Sequence, residues 1–502
     1  MNTLLKDPQF FPQISISTPV DSDWPGGVTY ASVRKAVNSL LGCGFIHGPS
    51  SAYSVKQDDG LALYDILTEV LPPMSSRTAH LWTRVARPFA QMLHTSQMSL
   101  ATQCTFLLFL YSRVLGFLGP EKQSDPPACL TLDGSPIEFS WIIPNKKTVK
   151  GKSNRNIRCV MEPFDPRGSG TPLKGTSVLK YLASYAGSLG GVVRCEWDGM
   201  FWVESAEKFF FPQHHHGDYV PDGCRFAVGF DFTTSGIITL KAYFVSFEHP
   251  YWIQSPETFK SLSPICMGAP DLSPLGTLAA QLNPVFAGSF KSFMDHVNSL
   301  NDGQRPVYEF TSMDCKSPGA NRLKLYCRAL ARTNWSAVKE DFTLGGRICS
   351  TQMGEALPVF ETLWKCIFPE SYTSDQPLKE SLTGAEDSDH PQNGLAYHYE
   401  FVPGDSKVYP KVYIPMRFYY ASDLAGSRAL EKFYNIVGIE GPEGGEQGPG
   451  WVEREVANAY NHRDLDKRSG CRTYISFGLR QGGWEVTSYF SPELFSPTEE
   501  KD

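Results

Sequence analysis

Residues 224–247 read CRFAVGFDFTTSGIITLKAYFVSF. Two mostly apolar runs flank the triplet TTS at 233–235, which has the length and composition of a short turn. β-Branched and aromatic residues dominate both runs, as is typical of strands. The stretch therefore predicts a β-hairpin, with one strand at residues 224–232 and the other at 236–247.

Four further strand pairs of this kind are spread along the chain. They lie at residues 136–144 with 156–163, 306–314 with 322–329, 395–402 with 407–415, and 470–479 with 484–490. Between the pairs, apolar residues recur near the helical period, for example at residues 177–189, 286–300, 356–368 and 427–437. Each repeat is thus predicted to contain two helices followed by two strands.

Five hairpins in series predict an α+β fold: a ten-stranded antiparallel β-barrel enclosed by a ring of α-helices, built from five repeated ααββ units. Closing the sheet removes exposed strand edges, and a barrel of this size has room inside for two substrates. An open antiparallel sheet with one helical face stays as the alternative. We assign the barrel domain to residues 76–496, after an N-terminal extension with helical material (1–75) and before a short tail (497–502).

Composition excludes several classes of function. The net charge of −7 and the pI near 5.9 give no overall basic field, so we expect no nucleic-acid partner. The 12 cysteines have no regular spacing, and the N-terminal residues do not resemble a secretory signal, so we expect a cytoplasmic protein. The apolar stretch at residues 100–118 is interrupted by Gln103 and Arg113, which favours a core helix over a membrane span.

Basic and phenolic residues recur at a spacing of two within the predicted strands. Because side chains alternate along a strand, residues two apart share a face. These shared faces carry Arg322, Lys324 and Tyr326; Lys241 and Tyr243; and Lys411 and Tyr413, while Arg158 and Tyr489 lie on two other strands. Salt bridges on the outer face are the alternative for any single pair, but the repetition on three strands favours one shared interior site.

Unpaired cations inside a barrel would be very costly, and an anionic ligand would relieve that cost. A diphosphate fits, since Arg grips its oxygens bidentately, Lys supplies a point charge and Tyr a neutral donor. Only Asp58-Asp59 resembles part of a magnesium-binding aspartate cluster, and the histidines at 214–216 have no further ligand at a suitable spacing. We therefore expect no metal and no other cofactor.

One carboxylate, Glu138, lies in a predicted strand that is otherwise mostly apolar. If the side chain points inward, it can accept a hydrogen bond from an indole N–H and stabilise the positive charge that develops as the ring attacks. An outward, solvent-exposed glutamate is the alternative. Glu138 is therefore the candidate catalytic residue.

In the order of its motifs, the chain resembles fungal indole prenyltransferases of the dimethylallyl tryptophan synthase type, over residues 76–495. The motifs are PIEFS (136–140), IRCVMEP (157–163), LKAYF (240–244), NRLKLY (321–326), FTLGG (342–346), PKVY (410–413), TYISF (473–477) and VTSY (486–489). The resemblance implies that Glu138 binds the indole N–H. It also implies that the nine basic and phenolic residues named above surround the prenyl diphosphate.

Two positions depart from the family pattern. Glu485 stands where many relatives have the first of two tyrosines four residues apart, which puts part of the diphosphate contact in doubt. Val228 falls where enzymes that alkylate free tryptophan have a lysine, which disfavours free tryptophan as the acceptor.

The resemblance thus implies metal-independent transfer of a dimethylallyl group from dimethylallyl diphosphate to an indole acceptor, such as a tryptophan-containing cyclic dipeptide. A related enzyme acting on a phenol, tyrosine or polyketide ring is the first alternative. A non-catalytic barrel that binds an isoprenoid diphosphate is the second. We expect a monomer or homodimer that works on small molecules, without a membrane.

Overall fold

The computed structural model describes most of the chain between residues 60 and 496. The described residues are 60–71, 74–119, 128–131, 133–144, 155–166, 171–173, 175–183, 192–195, 197–211, 224–246, 265, 267–378, 394–439, 441 and 448–496. Most of the predicted N-terminal extension lies outside them, as do the tail, Asp58-Asp59 and the histidines at 214–216. The domain boundaries therefore stay predictions.

Ten strands form the barrel, and an eleventh, very short strand lies beside it. The strands are β1 (Ile137–Pro144), β2 (Asn156–Met161), β3 (Val193–Arg194), β4 (Cys224–Phe232), β5 (Ile238–Ser246), β6 (Val307–Asp314), β7 (Leu323–Ala329), β8 (Leu395–Phe401), β9 (Val408–Pro415), β10 (Arg472–Arg480) and β11 (Gly483–Phe490). The two-residue β3 pairs in parallel with β5. The ten others are the strands of the five predicted hairpins, with ends shifted by a residue or two.

Antiparallel pairing closes these ten strands into a ring. Each strand pairs with the next along the chain, and β11 returns to β1 with Phe139 opposite Phe490. The second and third hairpins meet where Lys241 of β5 lies opposite Asp314 of β6. The predicted closed barrel is confirmed, and the open sheet is wrong.

Two main helices precede each hairpin after the first and form the outer layer, as the predicted ααββ repeat requires. They are Gly175–Ala183 and Trp197–Phe210, Pro274–Leu282 and Phe286–Ser299, Trp335–Thr343 and Thr351–Ile367, and Asp423–Ile436 and Trp451–Ala459. The first hairpin follows Ala62–Val70, Ser76–Leu81, Arg87–Thr95 and Leu100–Phe109. Pro369–Ser374 adds one more short helix.

The hydrophobic core lies between the barrel and these helices, not inside the barrel. On β10, Phe477 points outward and stacks on Phe360 of a covering helix, with ring centroids 4.9 Å apart. Tyr474 and Arg480 lie on the opposite face of the same strand and line the interior. Because the apolar face of each strand is already buried by helices, the barrel interior is left for polar side chains.

The apolar segment Leu100–Phe117 is long and apolar enough to span a membrane by composition alone, but most of it is buried inside the protein. Phe106 and Phe109 pack on the outer face of β4, with ring centroids 5.0 Å from Phe232 and 5.7 Å from Phe230. The segment is thus a helix of the core, as predicted.

Candidate active site

A central chamber runs inside the barrel, with an empty volume of about 1320 Å³ that includes space open to solvent. All ten residues that the sequence singled out line it: Glu138, Arg158, Lys241, Tyr243, Arg322, Lys324, Tyr326, Lys411, Tyr413 and Tyr489. None of these side chains lies on the outer face, because the spacing of two keeps each run on the inward side of its strand. The alternation argument therefore located the wall of the chamber.

The chamber is layered along the barrel axis, and β7 shows the order. Its inward residues are Arg322, Lys324, Tyr326 and Arg328, so two cations come first, a tyrosine follows and a further arginine lies beyond it. Two other strands keep the same order, with Lys241 before Tyr243 on β5 and Lys411 before Tyr413 on β9. One end of the chamber is therefore basic, and a ring of tyrosines separates it from the other end.

Six cationic side chains form the basic end, which we call the cation cage: Arg158, Lys241, Arg322, Lys324, Lys411 and Arg480. Sequence reasoning missed Arg480, although β10 alternates like its neighbours and Arg480 ends its inward face. The side chains of Lys241, Lys324 and Lys411 are at most 6% exposed, and those of the three arginines 18 to 25%. The lysines are thus almost fully removed from water.

Four carboxylates, Asp231, Asp314, Glu400 and Glu485, lie among these cations, and sequence reasoning missed three of them. The shortest ion-pair distances are 2.5 Å for Lys241–Asp231, 2.9 Å for Arg158–Asp231, 2.6 Å for Arg322–Asp314, 3.2 Å for Lys324–Asp314, 3.1 Å for Arg480–Glu400, 2.7 Å for Arg480–Glu485 and 3.0 Å for Lys411–Glu485. The premise that the buried cations lack partners is therefore wrong. With six cations and four carboxylates ionised, the cage keeps an excess of two positive charges.

Burial lowers the pKa of the three lysines and so reduces the fraction that is charged. Removal from water lowers the pKa of Lys241 to about 7, although the nearby Asp231 carboxylate partly offsets this effect. The same cause lowers the pKa of Lys411 to about 7, against the opposing influence of Glu485. Burial also lowers the pKa of Lys324. An anion entering the cage would return all three to their charged form.

Five tyrosines, which we call the tyrosine belt, form the next layer: Tyr243, Tyr326, Tyr413, Tyr474 and Tyr489. Neighbouring ring centroids are 6.4 Å apart for Tyr243–Tyr326, 6.0 Å for Tyr326–Tyr413, 5.5 Å for Tyr413–Tyr489 and 6.2 Å for Tyr413–Tyr474. Lys411 Nζ joins the belt to the cage, 5.6 Å from the Tyr413 ring and 5.8 Å from the Tyr489 ring. Electron-rich rings at this position could stabilise an adjacent carbocation.

His398 lies where the belt meets the cage, opposite Tyr326 on β7 and Lys411 on β9, and was also missed. Its ring centroid lies 5.1 Å from that of Tyr326, and its Nδ1 is 2.9 Å from the Tyr413 hydroxyl. The sequence does hold one signal for His398, because Glu400 follows two residues later on β8 and therefore shares its face. Burial and the charges of Arg480, Lys411 and Lys324 hold the pKa of His398 well below its usual value, so the ring is neutral.

Glu138 faces the chamber beyond the belt and is half-buried. The Thr473 hydroxyl donates a hydrogen bond to Oε1. Burial raises the pKa of Glu138 to about 8, and the Thr473 hydrogen bond only partly opposes this rise. The inward orientation required by the predicted role is therefore present, and the carboxyl is largely protonated at neutral pH in the ligand-free site.

The wall beyond the belt combines apolar side chains with one buried ion pair. Arg328 lies beside Glu309, with Nε 2.5 Å from Oε1, and the guanidinium also donates to the Tyr474 hydroxyl at 3.4 Å. Apolar lining is provided by Leu130, Val160, Ala227, Val245, Met267, Phe310 and Ala396. This end of the chamber thus suits a largely apolar molecule.

Val228 does not face the chamber, so its identity gives no direct argument about the acceptor. It is fully buried on the helix side of β4, and the residues of this strand that line the chamber here are Ala227 and Gly229. A one-residue slip moves a strand side chain to the opposite face. A Cβ at Gly229 would lie 2.9 Å from the Tyr243 ring, so this position is closely packed.

No group of three or more His, Cys, Asp or Glu side chains is placed to hold a metal ion among the residues that the structure describes. The carboxylates of the cage contact arginine and lysine nitrogens instead. The described residues of the chamber offer fixed cations with their partner carboxylates, the phenols of the belt, the His398 imidazole and the Glu138 carboxyl.

Solved structures of prenyltransferases have this architecture. NotF, in complex with brevianamide F and DMSPP, has a TM-score of 0.61 and 19% identity, covering 86% of this chain and 98% of its own. AnaPT from Neosartorya fischeri has a TM-score of 0.56 and 18% identity, covering 86% and 97%. At these identities the likeness concerns the fold alone.

Sequence comparison then gives the family. Residues 78–445 match the tryptophan dimethylallyltransferase family, and the chain belongs to it. It is 25% identical to 7-dimethylallyltryptophan synthase hasE of Aspergillus fumigatus, over 87% of this chain and 91% of that enzyme. It is 27% identical to xanthone prenyltransferase A of Emericella nidulans (88% and 98%) and 25% identical to 4-O-dimethylallyl-L-tyrosine synthase of Claviceps purpurea (82% and 88%).

Proposed function

We propose that this enzyme transfers a dimethylallyl group from dimethylallyl diphosphate to the indole ring of a neutral acceptor, without a metal ion. The observation that carries the proposal is the order of layers in the chamber: cation cage, tyrosine belt, then Glu138 and an apolar wall. A prenyl diphosphate has the same order, from its anionic head to its allylic carbon.

The cage would bind the diphosphate and stabilise it as it leaves. Arg158, Arg322 and Arg480 supply planar donors for its oxygens, and the lysines add point charges as they regain their protons. Fixed cations aimed at a leaving group stabilise the charge that develops there without reorganising in the transition state. In this role they replace the divalent ions used by other prenyl-transferring enzymes.

The tyrosine belt would surround the allyl cation once the C–O bond breaks. Each ring face contributes about 0.5 to 2 kcal/mol of cation–π stabilisation and keeps water from the cation. Tyr326 is held in place by stacking on Phe310, with centroids 4.0 Å apart. The indole would enter from the apolar end, with its N–H hydrogen-bonded to Glu138.

The acceptor end favours a neutral molecule over a free amino acid. Glu309 and Arg328 are engaged with one another, and the chamber-facing residues of β4 there, Ala227 and Gly229, are uncharged. A zwitterion would have to compete with this buried pair in order to be held by its charges. A tryptophan-containing cyclic dipeptide or a related indole alkaloid intermediate meets this condition.

A phenolic acceptor is the second candidate, because the relatives include a xanthone prenyltransferase and a tyrosine O-prenylating enzyme. The test is incubation of the purified enzyme with dimethylallyl diphosphate and separate acceptors: tryptophan-containing cyclic dipeptides, tryptophan, tyrosine and a hydroxyxanthone. Mass spectrometry should find one added dimethylallyl group on the cyclic dipeptide, and NMR should locate it on the indole. Products from the phenols alone would favour the second candidate. Binding of dimethylallyl diphosphate without release of diphosphate or formation of any product would contradict both.

A further inference from the structure

His398 is a buried, chemically competent group that the proposed reaction has not yet used. It is 2% exposed, lines the chamber, and its Nε2 has no hydrogen-bond partner among the described residues. Leaving a buried nitrogen unpaired costs about 1 to 3 kcal/mol, so this atom is available to accept a hydrogen bond or a proton from a group in the chamber.

The surroundings of His398 indicate which nitrogen carries its proton. The Tyr413 hydroxyl also hydrogen-bonds to Tyr489, so its own proton can be directed there while its oxygen accepts Nδ1–H from His398. Nε2 then presents its lone pair to the chamber. We assign this tautomer from the hydrogen-bond network.

Charged neighbours keep the His398 ring neutral. His398 is faced by Lys324 and Tyr326 on β7, Lys411 and Tyr413 on β9, Arg480 on β10 and Glu485 on β11, with Glu400 next on its own strand. Three of these neighbours are cations that disfavour a second proton on the ring before the donor binds. The imidazole is therefore kept as an unprotonated base in the free enzyme.

We propose that His398 Nε2 accepts the proton that the alkylated ring carbon releases and then passes it to the departed diphosphate. The inference rests on the proposed function. His398 lies between the belt, where the cation would be attacked, and the cage, where the diphosphate would remain. It is thus placed between the source of the proton and its final acceptor.

The reaction breaks two bonds to the reacting carbons and forms one new C–C bond. The donor C–O bond breaks and its electron pair leaves with the diphosphate; the indole π electrons form the new C–C bond. The C–H bond at that carbon then breaks, its electron pair restores the aromatic ring, and the proton moves to Nε2. Transfer of the proton to a diphosphate oxygen returns the imidazole to its neutral form, so no further reactant is needed.

Other groups in the chamber are less suited to this step. The cage carboxylates are held by arginine and lysine, which stabilises their ionised form and weakens them as bases. Glu138 is committed to the indole N–H. A neutral imidazole is sufficient, because an arenium ion is a far stronger acid than any imidazolium.

His398→Gln keeps a polar group beside Tyr413 but removes the base. We expect kcat to fall by about 100-fold, at the lower end of what general base catalysis contributes. The kcat ratio for unlabelled and ring-deuterated indole substrate, measured separately, should be near unity in the wild type and clearly above unity in the variant. The affinity for inorganic diphosphate should be unchanged.

His398→Ala with added imidazole provides a second measurement should the glutamine variant fold poorly, and kcat should recover as imidazole is raised. His80→Gln, at a histidine outside the chamber, is the matched control and should retain wild-type turnover. Wild-type kcat in the glutamine variant, or a loss of kcat without an isotope effect, would overturn the assignment. Failure of the wild type to alkylate any indole would instead reject the proposed function.

Discussion

The ammonium group of Lys411 lies 3.0 Å from the carboxylate of Glu485, although the strands that carry them are separated by β10. Gly478 stands between them in register, and a Cβ there would lie 3.1 Å from the Lys411 side chain. The same carboxylate lies 2.7 Å from Arg480 and 3.9 Å from Arg158. Glu485, one of the two departures from the family pattern, thus pairs with three cations that a diphosphate would need.

Replacing Glu485 by Gln should strengthen diphosphate binding. The change removes a negative charge next to the bound anion and leaves Arg158 and Arg480 charged. We expect Kd for inorganic diphosphate to fall about 10-fold at pH 7, equivalent to about 1.4 kcal/mol. Isothermal titration calorimetry measures this directly. Weaker binding in the variant would mean that Glu485 positions the cations rather than competing with the donor.

Diphosphate binding should take up protons near neutral pH. With pKa values of about 7, Lys241 and Lys411 are charged below pH 7 and increasingly neutral above it, and the bound anion favours the charged form. Affinity should therefore decrease as pH rises from 7 to 9. Calorimetry at pH 8 in two buffers of different ionisation enthalpy gives the number of protons taken up.

Lys411→Arg is the matched control for that measurement, because the introduced guanidinium stays charged throughout this pH range. Proton uptake at pH 8 should be smaller in this variant, and the pH dependence of binding flatter. Identical binding heats in the two buffers for the wild-type protein would show that the lysines are already protonated in the free enzyme.

The pH dependence of acceptor use should follow Glu138. A carboxylate accepts the indole N–H better than a carboxylic acid does, and with a pKa of about 8 the ionised fraction grows as pH rises through that value. The kcat/KM for the acceptor should therefore rise with pH and level off above about pH 8, since that pKa belongs to the free enzyme. Glu138→Gln should lower it about 100-fold and abolish this rise.

Thr473→Val tests whether ionisation of Glu138 sets the midpoint of the rise in kcat/KM with pH. The threonine hydroxyl donates to Glu138 and favours the ionised form, so its removal should move the midpoint to higher pH while retaining activity at the plateau. A midpoint that does not move, or an unchanged profile in Glu138→Gln, would assign the titration to another group.

The strand register explains which parts of this site were predictable from sequence. Alternation along one strand placed Arg322, Lys324 and Tyr326 on a common face, and that face lines the chamber. Lys411 and Glu485 meet across an intervening strand. Their contact depends on the register of three strands and on Gly478 between them, which no local sequence pattern records. The carboxylates of the cage were missed for this reason, and the argument for an anionic ligand rested on cations that are in fact paired.

The orientation of Val228 could not be predicted from a motif, because a motif does not record the register of its strand. One residue decides whether a strand side chain faces the chamber or the helices. The outer layer was easier to predict, since the helical period recurs in the same order in every repeat, and closing the sheet follows from the need to pair its edges.

Activity should not require a divalent ion. If the cage supplies the counter-charge for the diphosphate, turnover in excess EDTA should equal turnover in buffer alone. Added magnesium should at most weaken donor binding, because it would compete with the cage for the diphosphate oxygens. Strict dependence on magnesium, measured as product formation after exhaustive chelation and metal return, would contradict the proposed role of the cage.

The tyrosine belt should keep water away from the allyl cation, and Tyr326 is the position that tests this. It is 6% exposed and stacks on Phe310, so replacement by Ala opens a space beside the reacting carbon large enough for water. In Tyr326→Ala, diphosphate release should exceed prenylated product, with dimethylallyl alcohol making up the difference. Tyr326→Phe keeps the ring and should remain coupled, with one diphosphate released for each product molecule. Equal coupling in both variants, measured by parallel diphosphate and product assays, would show that water is excluded by the acceptor rather than by the belt.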